Sequence, residues 1–342
     1  MTSMSRMIRQ IVDMRTVHLS KVQGLRGLLS VQSGRISVTT GVPATWGFTR
    51  TYCSKPYSTE AAVKMETSAD PPTDAHDLRG LGMRREKIEV DGIQLNWDQA
   101  GDGDHVVLLL PGIIGCIKHD FVPIFKKMNK DKFTLVSWDP PGYGYSRPPQ
   151  RDFTGIPYRR DGHLVVKLME KLGHKSFSAL GWSNGGVTAG HIAADYPDHV
   201  RNIVTWGAHA FADERCVMFT KFMGDLDAWS PKMLEPVLAL YGREYLVKMM
   251  ADWHKGVHDF YHNKEDQVFK DGLPKIKCPA LILHGEDDPV LGEDHAEYLR
   301  DNIKNSRMVI MPNAKHNLHL KFTDEFVNLV ENFLLEGDEP KQ

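Results

Sequence analysis

From residue 84 onward, runs of apolar residues alternate with amphipathic stretches. RREKIEVDGIQLNWDQAG at 84–101 holds two alternating runs joined by Asp91-Gly92. That pair tolerates the positive φ of a tight hairpin turn and predicts two antiparallel strands. HVVLLLPG at 105–112 and FTLVSWDPPG at 133–142 are short apolar runs closed by Pro and Gly, as expected of strands buried on both faces. KSFSALGWS at 175–183, VRNIVTWGAHA at 200–210, CPALILHGEDD at 278–288 and SRMVIMPNAKH at 306–316 continue the series. The stretches between them have helical spacing. In 159–173, Leu164, Val165, Leu168, Met169 and Leu172 share one face, and Gly173 supplies a stop. Helices are also expected at 185–197, 293–303 and 322–336, the last with Phe326, Leu329, Val330 and Phe333 inward. This alternation predicts an α/β fold with a mostly parallel central sheet flanked by helices. It breaks at 211–275, a helical stretch rich in Met, Trp, Phe and Tyr that reads as a cap inserted over the sheet. The core is then expected over 83–210 and 276–337.

Composition changes this picture mainly at the start of the chain. Over all 342 residues, 41% are hydrophobic and 25% charged, with a net charge of −2. These values suit a globular protein with a substantial core and give no basic field for nucleic acid. Residues 1–59, however, carry a single acid, Asp13, against eight Lys and Arg, with frequent Ser and Thr. Arg-rich and acid-poor is the transit-peptide signature. Residues 1–52 are expected to direct the chain to the mitochondrial matrix, with the cytoplasm as the alternative, and 53–82 read as a linker. The longest apolar stretch, 106–117, is broken by Pro and Gly and is too short to span a bilayer. Cys53, Cys116, Cys216 and Cys278 are scattered, without metal-ligand spacing, so neither a metal nor a cofactor is expected. The chain is expected to be a monomer.

The candidate chemistry begins at Gly181-Trp182-Ser183-Asn184-Gly185, a G-x-S-x-G placed between a strand and a helix. A nucleophile on that turn sits in a strained conformation that exposes its Oγ above the sheet. HGEDDP at 284–289 offers a carboxylate after the fifth buried run, and PNAKHNLHL at 312–320 a histidine after the sixth. Ser183, Asp288 and His316, spaced by 105 and 28 residues, follow the nucleophile–acid–base order of α/β-hydrolases. Asp287 and His319 are the neighbouring alternatives for acid and base. For an oxyanion hole, the backbone N–H of Asn184 follows the nucleophile, and that of Ile113 lies in the turn after the first buried run.

LLLPGIIG, FTLVSWDPPGYGYSRPP, ALGWSNGG, CPALILHGEDDPV and MPNAKHNLHLKFTDEF together resemble the valacyclovir hydrolase, or biphenyl hydrolase-like, family over about residues 84–336. The resemblance implies an α/β-hydrolase fold with a helical cap, a mitochondrial location, and a serine esterase acting on small-molecule esters, including α-amino-acid esters. It places the triad at Ser183, Asp288 and His316. It also implies a substrate-binding role for position 184, where the family's best-known member carries an aspartate that receives the substrate's α-ammonium group. Here the residue is Asn184, so the charge is missing. Either a cap acid (Asp213, Glu214, Asp225 or Asp227) replaces it, or the substrate is a different ester. Trp229, Met233, Leu234, Leu238, Tyr241, Tyr245, Met249, Met250 and Trp253 are candidates both for the pocket wall and for the cap's own core. The alternative functions are carbon–carbon bond hydrolysis of dienoates on the same triad and a non-catalytic hydrolase-like binding protein.

Overall fold

The computed structural model describes residues 30–32, 35–37, 86–155, 157–263 and 272–336. The expected linker at 53–82 and all but six residues of the expected targeting segment lie outside these. The six form β1 (Ser30–Gln32) and β2 (Arg35–Ser37), an antiparallel pair in a separate unit.

The hairpin anticipated from Asp91-Gly92 is β3 (Glu86–Val90) and β4 (Ile93–Ala100), with Val90 paired to Ile93. Asp91 (φ 49°) and Gly92 (φ 79°) both adopt the left-handed conformation that a two-residue turn requires. The apolar runs become β5 (His105–Leu110), β6 (Phe133–Trp138), β7 (Phe177–Trp182), β8 (Val200–Trp206), β9 (Ala280–Gly285) and β10 (Ser306–Met311). Together with the hairpin they form one eight-stranded sheet, ordered β10-β9-β8-β7-β5-β6-β4-β3. Every pair from β10 through β6 is parallel, and only the β3–β4 and β4–β6 pairs are antiparallel.

The sheet is covered on both sides because its strands are apolar on both faces. Along β5, Leu108 and Leu110 join one core cluster while Val107 and Leu109 join the other, following the two-residue period of a strand. The first face is covered by α3 (Pro157–Lys171), α4 (Asn184–Asp195) and α8 (Glu293–Asn302), through residues such as Leu168, Ile192 and Leu299. The second is covered by α1 (Ile117–Asp120), α2 (Val122–Lys127), α9 (Leu318–Lys321) and α10 (Thr323–Leu335), through Ile117, Phe125, Leu318 and Phe326. The stretch at 211–275 contributes α5 (Glu214–Met223), α6 (Pro231–Tyr241) and α7 (Arg243–His262). These helices bury a third cluster of Met223, Trp229, Leu246, Met250 and Trp253, shared with Ile114, Tyr143 and Phe153 of the core loops. Among the described residues, no helix is long and apolar enough to cross a membrane.

Candidate active site

Ser183 occupies the sharp turn between β7 and α4, with φ 53° and ψ −119°. Such a conformation costs a non-glycine residue about 1–3 kcal/mol and persists only where its surroundings over-determine it. Here Ser183 N–H donates to Trp206 O (2.9 Å), and Gly186 N–H donates to Ser183 O (2.9 Å). The flanking glycines are sterically obligatory. A Cβ at Gly181 would lie 2.1 Å from Gly185 O, and one at Gly185 would lie 2.0 Å from Leu110 O.

Asp288 and His316 follow β9 and β10, and the fold brings them together. His316 Nδ1 lies 2.9 Å from Asp288 Oδ2. Burial pushes the Asp288 carboxyl up, but His316 and its hydrogen bond outweigh this and hold it below the usual carboxylate range. An ionised carboxylate only accepts, so Nδ1 donates to it, and in the neutral imidazole this tautomer leaves the lone pair on Nε2. The other oxygen, Oδ1, accepts the N–H groups of Val290 (2.8 Å) and Leu291 (3.1 Å), which fixes the carboxylate plane. The neighbouring candidates fall elsewhere. Asp287 is exposed. His319 accepts the Trp206 indole N–H at Nδ1 (2.9 Å) and donates from Nε2 to Asp120 O (3.1 Å). With both nitrogens occupied, and burial holding it down to about 3, His319 is a neutral structural wedge.

Ser183, Asn184, His316 and Ile113 line one cavity of about 270 Å³ between the sheet and the cap. The loop bearing Ile113 runs close to the serine, since a Cβ at Gly112 would lie 3.5 Å from Ser183 Cβ. Of the nine aromatic and aliphatic cap residues singled out from the sequence, Met233 and Trp253 line the cavity. Trp229, Tyr241, Met249 and Met250 are buried in the cap cluster instead.

None of the four cap acids reaches the cavity wall. Asp213 caps α5 by accepting Cys216 N–H (2.9 Å), and Asp227 pairs with Arg243 (2.6 Å). The carboxylate among the lining residues is Asp120, which the sequence reading passed over. Its Oδ2 accepts Gly112 N–H (3.1 Å), while burial, with Asp139 nearby, pushes its pKa up to about 8. Asn184 Nδ2 is buried with no hydrogen-bond partner among the described residues. His209 also lines the cavity, and desolvation together with His295 and His316 holds it down to about 3.

One metal-like grouping exists among the described residues. Asp213, Cys216 and His295 bring a ligand-type atom each within 4.8 Å of one another. However, His295 Nδ1 accepts Ala210 N–H (3.2 Å), which puts the ring proton on Nε2 and leaves no free lone pair for a metal.

Residues 105–243 match the family described as alpha/beta hydrolase fold, and 243–342 match that described as TAP-like protein. Serine hydrolase BPHL of Mus musculus is 46% identical, and that of Homo sapiens 44%, each over 75% of this chain and 88% of the relative. The crystal structure of a membrane phospholipase A, a bacterial virulence factor, superposes with a TM-score of 0.65 at 21% identity, covering 78% of this chain and 90% of that one. That likeness is one of fold. The chain is therefore a hydrolase of the α/β-hydrolase fold and belongs to the family of the serine hydrolase BPHL.

Proposed function

We propose that this hydrolase cleaves small carboxylic esters through an acyl-enzyme on Ser183. The observation that carries the reading is the His316–Asp288 hydrogen bond, made over the cavity that Ser183 lines from its strained turn. His316 Nε2 takes the proton of Ser183 Oγ as the oxygen attacks the ester carbonyl, and Asp288 stabilises the imidazolium. The N–H groups of Ile113 and Asn184 hold the oxyanion. Collapse of the tetrahedral adduct expels the alkoxide, which takes the proton from His316. Water then repeats the cycle, losing its proton to His316 while Ser183 is released and the acid is formed.

The family resemblance points to α-amino-acid esters, yet position 184 supports a reduced demand for the amine. A charge-assisted hydrogen bond is roughly twice as strong as a neutral one. Asn184 has no charge, the cap acids lie off the cavity, and burial, pushing the Asp120 pKa up to about 8, keeps that carboxyl mostly neutral near pH 7. This enzyme is thus expected to accept neutral acyl groups about as well as α-ammonium ones. The acid-poor segment 1–59 supports a mitochondrial location as part of the same proposal, tested by imaging a fluorescent fusion with and without residues 1–52.

The test uses p-nitrophenyl esters, matched aminoacyl and deamino esters, and a ring-cleavage dienoate. Wild type should turn over the esters, and Ser183→Ala should lose about 10⁴-fold or more of kcat. Turnover that survives Ser183→Ala sinks the nucleophile assignment. Faster cleavage of the dienoate than of any ester would move the reading to carbon–carbon hydrolysis. Asn184→Asp should raise the preference for the aminoacyl over the deamino ester by about tenfold. An unchanged ratio refutes the role given to position 184.

A further inference from the structure

Besides the Ile114 N–H, which donates to the Tyr143 hydroxyl, four hydrogen bonds among the described residues anchor the loop that carries the Ile113 N–H. Three come from nearby in the chain. Gly112 N–H donates to Asp120 Oδ2 (3.1 Å), Gly115 N–H to Gly112 O (3.2 Å), and Ile117 N–H to Asp139 Oδ1 (3.0 Å). The fourth comes from the cap. The hydroxyl of Tyr241, at the last turn of α6, donates to Ile114 O (2.9 Å) across 127 residues of sequence. Ile114 is the strained point of the loop, a β-branched residue at φ 51°.

Tyr241 is itself tightly specified. Its hydroxyl accepts Gly144 N–H (2.9 Å), so its single proton is directed at Ile114 O. Its ring stacks on Tyr245 (centroids 6.0 Å apart, planes 5° off parallel), and the Arg147 guanidinium lies over both rings at 4.8 and 5.0 Å. Arg147 also clasps the seam, donating from Nε to Gly144 O (2.8 Å) and from Nη2 to Leu240 O (2.7 Å). Burial pushes the Tyr241 phenol well above its ordinary range, so it remains a donor. Tyr245 makes a similar cap-to-core bond to Gly142 O (2.7 Å), but that bond does not touch the Ile113–Ile114 loop.

We propose that Tyr241 is a positioning residue, a strut from the cap that holds the strained Ile114 backbone so that the Ile113 N–H faces the oxyanion. The inference rests on the esterase reading above. The oxyanion hole is then complete only with the cap seated, which couples the seating of α6 to the chemical step rather than to substrate binding alone.

Tyr241→Phe keeps the stacked ring and removes the strut together with the acceptor of Gly144 N–H. Its kcat on p-nitrophenyl butyrate should fall about tenfold or more, while KM stays within about threefold of wild type. Tyr245→Phe, which removes a hydroxyl from the same seam, should change kcat by less than about threefold, although thermal melting should register a comparable loss of stability in both variants. In an Ile114→Gly background the positive φ carries no side-chain penalty, so the loss caused by Tyr241→Phe should shrink. This double comparison also serves if Tyr241→Phe alone folds poorly, because each pair is compared within its own background. A Tyr241→Phe kcat within about twofold of wild type, or one matched by Tyr245→Phe, overturns the strut. So does an equal loss in the wild-type and Ile114→Gly backgrounds. Turnover that survives Ser183→Ala overturns the serine reading and the strut with it, whereas an inactive Ser183→Ala beside an unaffected Tyr241→Phe overturns the strut alone.

Discussion

A Cβ on residue 207 would lie 2.9 Å from both Cε1 and Nδ1 of His316, on a backbone with φ 55°. Gly207 thus supplies the space in which the imidazole turns its Nδ1 to Asp288. Gly207→Ala should displace the ring and lower kcat about a hundredfold, with little change in far-UV circular dichroism. A variant of normal kcat would show that the ring has room to spare. Nothing local in VTWGAHA marks this glycine, because its neighbour in space is more than a hundred residues away in sequence. The same is true of Tyr241, whose bond to Ile114 crosses the cap seam, and of Asp120, which reads as an ordinary acid in KHDF. Ser183, Asp288 and His316 were legible for the opposite reason. Each sits in a short motif whose glycines and strand-end position declare it, and their order supplies the rest. His319, the neighbouring alternative for the base, has both ring nitrogens engaged, by the Trp206 indole and by Asp120 O.

Among the elements, the ones with a clear period were the ones the sequence placed. The buried strands and the helices at 157–171, 293–302 and 323–335 fall within a few residues of their expected bounds. The helices at 117–120, 122–127 and 318–321 were missed because four to six residues complete too little of an amphipathic pattern to be read. Sheet order was equally hidden, since a parallel crossover leaves no local trace of which neighbour it reaches. One joint between elements was also invisible. Arg151, in the loop before α3, makes a bidentate pair with Asp161 on that helix, at 2.9 and 2.5 Å, with only 4% of the Arg151 side chain exposed. Removing one partner strands a buried charge, a loss typically of about 3–5 kcal/mol. Asp161→Ala should lose that much in urea unfolding, whereas a loss below about 1 kcal/mol would mean that water reaches the guanidinium. Phe153 and Tyr143 pack against Arg151 as well, so this joint also steadies the floor of the cap.

For the whole molecule, the buried titratable groups define an expected pH optimum for stability. Desolvation holds His119, His191 and His295 down to about 4, and His209 and His319 to about 3. Between these values and 6.5 the unfolded chain binds more protons than the folded one, so stability falls as the solution is acidified below 6.5. Asp120 acts in the opposite sense. Its folded pKa is raised to about 8 from 3.8, so its contribution is full at low pH and is lost as pH rises toward 8. At pH 6.5 the unfolded histidines are still half protonated, so five of them outweigh one carboxyl until about pH 7, above which the carboxyl prevails. Tm should therefore peak at about pH 7, drop steeply toward pH 4 and decline gently toward pH 8. Asp120→Asn should flatten the gentle side only, and a Tm that climbs through pH 8 would contradict the assignment. The sheet order has a further consequence for synthesis. His316 follows β10, one of the two edge strands of the sheet, and Trp182, beside the serine, donates its indole N–H to His316 O (3.0 Å) across 134 residues of sequence. On the mechanism proposed above, a chain still emerging from the ribosome carries Ser183 long before it has His316, so hydrolytic competence would arrive only with the last strand and a half-made copy would remain chemically silent.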